Sequence, residues 1–333
     1  MKFRHLATIV GLVFCAYGAN GQGKILTSQY FQNLPAYSPA LTGVHDYLDV
    51  KAGFRKQWAG YEGAPQTSFL SAYGSFGPGY NEQRRHSLRV SDPGQYTENQ
   101  PGTFLRVGFG GYILTDEVGP LKRTEGMLSG AVHVPVADRK YISLGTSVGI
   151  MASEVEMDKV MVIDPANDPV YQAYVNGGTS STFLNINTGI GFHSDQLYVS
   201  YNIMQVASSL LSGNELVNNQ GSAFRHNVLA GFRMYVTDRV ELLPNVFFRA
   251  EEGVSSFFDV GMRARFNESI TAGMAYRNNG TYILMMGLAI TDALNFGYSY
   301  EYKTSNFDQF NNSSHEIVLG IKLFNYENYS PMW

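Results

Sequence analysis

The sequence is nearly devoid of cysteine: one in 333 residues, Cys15, lying inside an apolar N-terminal run. Removal of that run leaves no thiol, which excludes disulfides, thiolate metal centres and cysteine nucleophiles from the mature chain. Charge is also sparse, at 16%, with 24 Lys+Arg against 28 Asp+Glu for a net −4. A nucleic-acid surface would carry a basic excess, so no nucleic-acid partner is expected. Long apolar runs are missing as well. After Gly21 no segment nears the roughly 20 apolar residues that a spanning helix needs, and mean hydropathy is only −0.15. Hydropathy alone would assign a water-soluble protein, and the patterning argues otherwise.

What is abundant is glycine, with 35 residues, and aromatics, at 14%. Small residues suit a crowded barrel lumen, and aromatics suit interfacial girdles. Lys2 and Arg4 precede an apolar run from Leu6 to Ala16, the pattern of a secretion signal. Ala19-Asn20-Gly21 offers a cleavage site that makes Gln22 the mature N-terminus, and bulky Phe14 before Cys15 argues against lipidation. Cleavage removes two cations, leaving 22 basic against 28 acidic residues, or −6.

Beyond the leader, apolar and small-or-polar residues alternate in units of about ten that stop at polar turns. From Phe183 to Phe192, Leu184, Ile186, Ile190 and Phe192 share one face, opposed by Asn185, Asn187, Gly189 and Gly191. Period-two patterning of this length behind a signal marks an all-β fold, a closed antiparallel transmembrane β-barrel of the outer membrane. Fourteen strands are expected, at 47–57, 66–76, 103–113, 126–136, 141–151, 182–192, 196–205, 226–236, 239–249, 257–266, 269–277, 281–290, 293–302 and 315–324. Every second link is short and polar, as periplasmic turns are, and three alternate links (153–181, 206–225, 303–314) are long, as extracellular loops are. The stretch 77–102 breaks that rule: it is either a periplasmic insertion or two further strands, and its lack of sustained alternation favours the insertion. The organisation is thus signal 1–21, a proline-broken segment 22–46 that is either a periplasmic lead-in or a plug, barrel 47–324, and tail 325–333.

Face assignment sends Ile317, Leu319, Ile321 and Leu323 to lipid. It sends the strand charges Lys51, Arg55, Arg106, Arg233, Arg263, Arg265, Arg277, Glu301 and Glu316 to the lumen. Arg on the lipid face would cost about 2–4 kcal/mol at the midplane, so the sorting supports the register. These charges either cross-link neighbouring strands or make a lumen that passes or holds anions. The histidines His45, His86, His133, His193, His226 and His315 show no metal-site spacing and read as interfacial or turn residues. Ser314-His315-Glu316 cannot form a triad, because successive strand residues face opposite sides. No phosphate loop of the required form is present. A non-enzymatic protein without cofactor or metal is expected.

Several stretches match a known family in order and spacing. They are Ser28-Gln29-Tyr30-Phe31-Gln32-Asn33 with Tyr37-Ser38-Pro39-Ala40 and Gly43; Arg55 to Gly60 with Gly63 to Thr67; Asp116 to Pro120; Tyr276-Arg277; Gly297 to Tyr300; and Ser314 to Ile317. On these the chain resembles the PorP/SprF family of type IX secretion system membrane proteins from Bacteroidetes. The resemblance implies an outer-membrane barrel in contact with lipid that assists secretion or surface attachment of cargo. The cargo class is large adhesins with C-terminal sorting domains, in some members linked to gliding. It further implies periplasmic secretion-machine or peptidoglycan-associated partners. Within it, the extracellular loop bearing Gln57, Trp58, Gly60, Gly63, Ala64 and Pro65 is the candidate docking element, with Trp58 either a girdle aromatic or an anchor for a partner. The alternative function is a passive porin or solute channel.

Overall fold

A computed structural model describes residues 27–61, 63–76, 105–137, 139–214, 224–251, 254–304 and 313–325. The expected signal peptide, the 77–102 insertion and the last eight tail residues lie outside the described residues.

Period-two sequences fold here as one continuous antiparallel ladder. Its strands are β1 (Leu48–Lys56), β2 (Gln66–Phe76), β3 (Arg106–Val118), β4 (Leu121–Ala137), β5 (Lys140–Val155), β6 (Ser180–Ser194) and β7 (Leu197–Gly213). They continue as β8 (Arg225–Phe232), β9 (Met234–Thr237), β10 (Val240–Glu251), β11 (Val254–Phe266), β12 (Ile270–Arg277), β13 (Thr281–Ala289), β14 (Leu294–Lys303) and β15 (Ser313–Leu323). Each strand pairs with the next, except that β8 and β9 both pair with β10; β10 pairs on with β11 and β15 pairs back onto β1, so the sheet has no free edge. β8 and β9 lie end to end along β10, interrupted at Arg233, so the 15 segments make fourteen staves. The structure is a closed fourteen-stranded β-barrel. Closure matters because an open edge in hydrocarbon would leave backbone groups unpaired.

Burial is the reverse of a soluble protein's. On β5, Ile142, Leu144, Val148 and Ile150 are exposed to the surroundings while Tyr141, Ser143 and Ser147 are buried. On β15, Ile317, Leu319, Ile321 and Leu323 point out and Glu316 points in, as face assignment expects. Outward aromatics gather at both rims. Phe76 stacks on Phe109 at 4.3 Å near the short-turn end, and Tyr276 meets Tyr282 at 5.3 Å near the other.

Five staves are taller than alternation foresees. β3 to β7 run for 13, 17, 16, 15 and 17 residues, against 8 to 10 for β12, β13 and β14. Their upper parts carry polar residues on both faces, such as Thr115, Asp116, Lys122 and Arg123, so the apolar rhythm ends while the ladder continues. The link between β3 and β4 is accordingly a tight hairpin at Gly119-Pro120 and no loop of a dozen residues. The 156–179 loop keeps its length and holds a short helix, Pro169–Gly177, whose N-terminus is capped by Asp168 Oδ1 at 2.9 Å from the amides of Val170 and Tyr171. In the same loop Lys159 hydrogen-bonds Glu156 and holds that carboxyl below its ordinary range.

The lumen is occupied by the chain itself. Residues 27–46 run inside the barrel as three short helical turns, Tyr30–Asn33, Leu34–Tyr37 and Pro39–Leu41. Pro35 and Pro39 sit in the first turns of the latter two, where their missing N–H groups cost nothing. Tyr30, Phe31, Leu34, Tyr37 and Leu41 pack with wall residues Tyr198, Leu229, Leu243, Phe247 and Ile283 as the principal buried apolar cluster. Of the two sequence-level readings of 22–46, the described part is a plug.

Candidate functional site

The plug is seated on glycine. A Cβ built on Gly108 would fall 1.9 Å from the Thr42 carbonyl oxygen, and one on Gly145 would fall 2.2 Å from that of Pro39. Gly43, at φ +68°, itself lies against Gly108. No side chain fits between plug backbone and wall at these points.

Polar wall residues then hold the plug along its length. At its start, Glu316, only 1% exposed, accepts the Ser28 amide at 2.6 Å and the Gln29 amide at 3.0 Å. Glu301 accepts the Ser28 hydroxyl at 2.6 Å. The same carboxylate takes Arg55 at 2.6 Å and Arg277 at 3.0 Å, and Arg277 reaches Asp259 at 3.1 Å. Five buried charges from β1, β11, β12, β14 and β15 thereby form one network around the Ser28-Gln29 turn. A buried ion set is tolerable only when each member is paired and hydrogen-bonded, and here plug amides complete the set. Midway, Asn227 donates to the Tyr37 carbonyl at 3.1 Å, Ser38 donates to Asn202 at 2.9 Å, and Arg263 lies 3.6 Å over the Phe31 ring. Toward the short-turn end, Lys51 donates to the Gln32 carbonyl and pairs with Asp49. Arg106 donates to the Val44 carbonyl at 2.6 Å and pairs with Asp46 at 2.8 Å.

The nine sequence-selected charges thus all line the lumen, but they are not one site. Arg55, Arg277, Glu301 and Glu316 form the network just described; Lys51, Arg106 and Arg263 grip the plug separately; Arg233 and Arg265 meet Glu241 on the wall. Asp259, Glu241 and Arg249 escaped selection, although they share a face with Arg263 and with Asn245 in strands already assigned, so parity could have found them. Three histidine expectations are corrected. His133 and His193 are buried lumen residues, not turn or interface residues, because parity turns both inward. A carbonyl can only accept, so His133 Nε2 donates to Thr42 at 2.8 Å, and its Nδ1, left with one lone pair, lies within hydrogen-bond distance of both Ser143 Oγ at 2.8 Å and His193 Nε2 at 3.0 Å. His45 is buried too, stacked on Tyr47 at 4.9 Å.

The candidate docking loop forms a compact rim. The Gln57 amide donates to the Pro65 carbonyl at 2.9 Å, closing the loop, and Gly119 donates to Gly63 at 3.2 Å. Trp58 adopts φ +47° and is exposed, as are Tyr61, Gly60 and Gly63, whereas Ala64 and Pro65 are buried beneath. Thr67 donates to Asp116 at 2.6 Å, and Ala59 donates to the Ser313 carbonyl at 3.1 Å. Segments far apart in sequence, 57–67, 116–120 and 313–316, therefore meet at one rim.

Among known proteins, the family model described as type IX secretion system membrane protein PorP/SprF matches residues 19–321. No curated protein matches the chain. Among solved structures, the outer membrane protein Omp33 of Acinetobacter baumannii aligns at 9% identity over 85% of this chain and 99% of its own, with TM-score 0.44. The toluene transporter TbuX of Ralstonia pickettii aligns at 9% identity over 86% and 92%, with TM-score 0.45. The translocator domain of the autotransporter NalP from Neisseria meningitidis aligns at 12% identity over 87% and 94%, with TM-score 0.38.

Proposed function

We propose a role from one premise: the chain belongs to the family of type IX secretion system membrane proteins, PorP/SprF. It is exported by its signal, cleaved before Gln22, and inserted in the outer membrane as a barrel. There it serves as a sealed platform that assists secretion or surface attachment of type IX cargo, of the class of large adhesins with sorting domains. It carries no catalytic step of its own. Periplasmic secretion-machine or peptidoglycan-associated proteins are its partners on the inner side.

One observation carries the platform reading over that of a porin or solute channel. The lumen is filled by residues 27–46, fixed to staves around the whole circumference by carboxylate, amide, guanidinium and imidazole contacts. A conduit would need that segment to leave, exposing the buried carboxylates Glu301 and Glu316 and the cations paired with them. The rim at Trp58 favours contact with a partner, since a Trp on a fixed turn gives an anchor little conformational entropy to lose. Deleting the gene and comparing surface proteomes tests the role: loss of one or a few adhesins from the surface is the expected result. An unchanged surface proteome contradicts it.

A further inference from the structure

On the outer wall, the alternation that sends Arg55 to the lumen turns its neighbour Lys56 outward, at the long-loop end of β1. The staves are short on this side, with 9 residues in β1 and 10 in β14. At about 3.3 Å per residue and a tilt near 45° they rise about 21–23 Å, against an apolar band of about 25 Å. Lys56 therefore lies where hydrocarbon gives way to headgroups. Among the described residues, the other strand cation facing outward at this end is Lys122, and Glu117 neutralises it at 3.2 Å. Lys56 has no carboxylate within 4 Å among the described residues.

The ladder gathers further donors beside Lys56. His315 stands opposite it on β15, and Gln66 stands opposite it on β2. The Tyr298 hydroxyl lies 2.8 Å from His315 Nδ1, and the Tyr300 ring meets the imidazole edge-on at 5.4 Å. With the phenol donating, the neutral imidazole carries its proton on Nε2 and offers an N–H next to the ammonium group. One step down the wall the chemistry changes. Phe54, which follows Lys56 on the same face, and Leu70, Ile317 and Leu319 on the flanking staves are exposed apolar side chains.

We infer that this face holds a phosphorylated lipid of the leaflet at the long-loop end, its phosphate on Lys56 Nζ and His315 Nε2 and its acyl chains along Phe54, Ile317 and Leu319. A cation at headgroup level draws anionic lipid, and an ammonium beside a fixed N–H gives a phosphate two charge-assisted or polar donors at once. The occupant is a lipid because the apolar wall under the donors lies within the bilayer, where a soluble peptide or a free ion makes no use of it. An aromatic girdle by itself requires tyrosines at this level, but no unneutralised lysine paired in register with a histidine.

The test is native mass spectrometry of the full mature protein in detergent micelles, incubated with diphosphoryl lipid A, with the same lipid dephosphorylated, and with the diphosphoryl form plus millimolar inorganic phosphate. The phosphorylated lipid is expected to stay bound at a concentration about tenfold below that needed for the dephosphorylated one, and inorganic phosphate is expected not to displace it. Lys56→Gln is expected to weaken retention about tenfold, the worth of a lost charge-assisted hydrogen bond, while Lys140→Gln at the short-turn end leaves it unchanged. Heat-modifiable migration on gels shows whether each variant is folded; should Lys56→Gln not fold, His315→Gln serves the same comparison. Equal retention of the dephosphorylated lipid, displacement by inorganic phosphate, or a folded variant with unchanged retention overturns the site. Each of these results leaves the secretion role standing, because that role is read from the surface proteome.

Discussion

Glu301 is the residue on which most of the plug network turns, since it takes Arg55, Arg277 and Ser28 at once. Glu301→Gln keeps the shape and removes the charge, leaving two buried guanidinium groups to Glu316 and Asp259 alone. Breaking a buried pair from one side costs about 3–5 kcal/mol, so the expected outcome is a lower urea midpoint for barrel unfolding, followed by tryptophan fluorescence and gel migration. Gly145 is a steric counterpart. A valine there would meet the Pro39 carbonyl at a distance no real contact allows, and the plug backbone cannot yield without losing the Ser38–Asn202 bond. Gly145→Val is expected to raise protease sensitivity of the N-terminal segment while the barrel itself still forms, because outward ladder pairing at that position needs no glycine.

At the scale of elements, the plug is the part the sequence disclosed least. Alternation located all fourteen staves, since a face meeting hydrocarbon on one side and a packed lumen on the other imposes period two. It could not choose between lead-in and plug for 22–46, where Pro35 and Pro39 break any rhythm and where the decisive fact is the bare wall at Gly108 and Gly145. It also cut β3 and β4 short, because Asp116, Lys122 and Arg123 keep the ladder but not the hydropathy, and β7, whose register shifts around Gln205. The lumen location of Arg55 or Glu316 was legible from parity; their union at Ser28 was not, because it joins residues 288 apart. The location of the plug is open to a direct test. Beyond Cys15 the sequence has no cysteine, and Thr42 Oγ1 lies 3.0 Å from Ser129 Oγ. Thr42→Cys with Ser129→Cys is therefore expected to oxidise to a disulfide, a reach well within bridge geometry, seen as altered non-reducing gel migration. Failure of that pair to close in folded protein would contradict a plug seated against β4.

For the whole molecule, stave length sets the fit to the membrane. At about 3.3 Å per residue and a tilt near 45°, sixteen residues rise about 37 Å and nine about 21 Å, against an apolar band of about 25 Å. The β4–β7 side therefore stands clear of the bilayer at the long-loop end, and the β12–β14 side does not. Leu211 and Leu284 are equally exposed at 56%, but only Leu211 lies on the raised wall. Leu211→Cys is expected to react with a membrane-impermeant maleimide on intact cells, and Leu284→Cys is expected to stay unlabelled.

A barrel corked by its own N-terminus should not conduct. Single-channel recording of the intact mature protein in planar bilayers, beside a variant lacking residues 27–44, tests this most directly. The intact protein is expected to show no stable conductance steps and the shortened one to open. Steady porin-like steps from the intact protein would contradict a filled lumen.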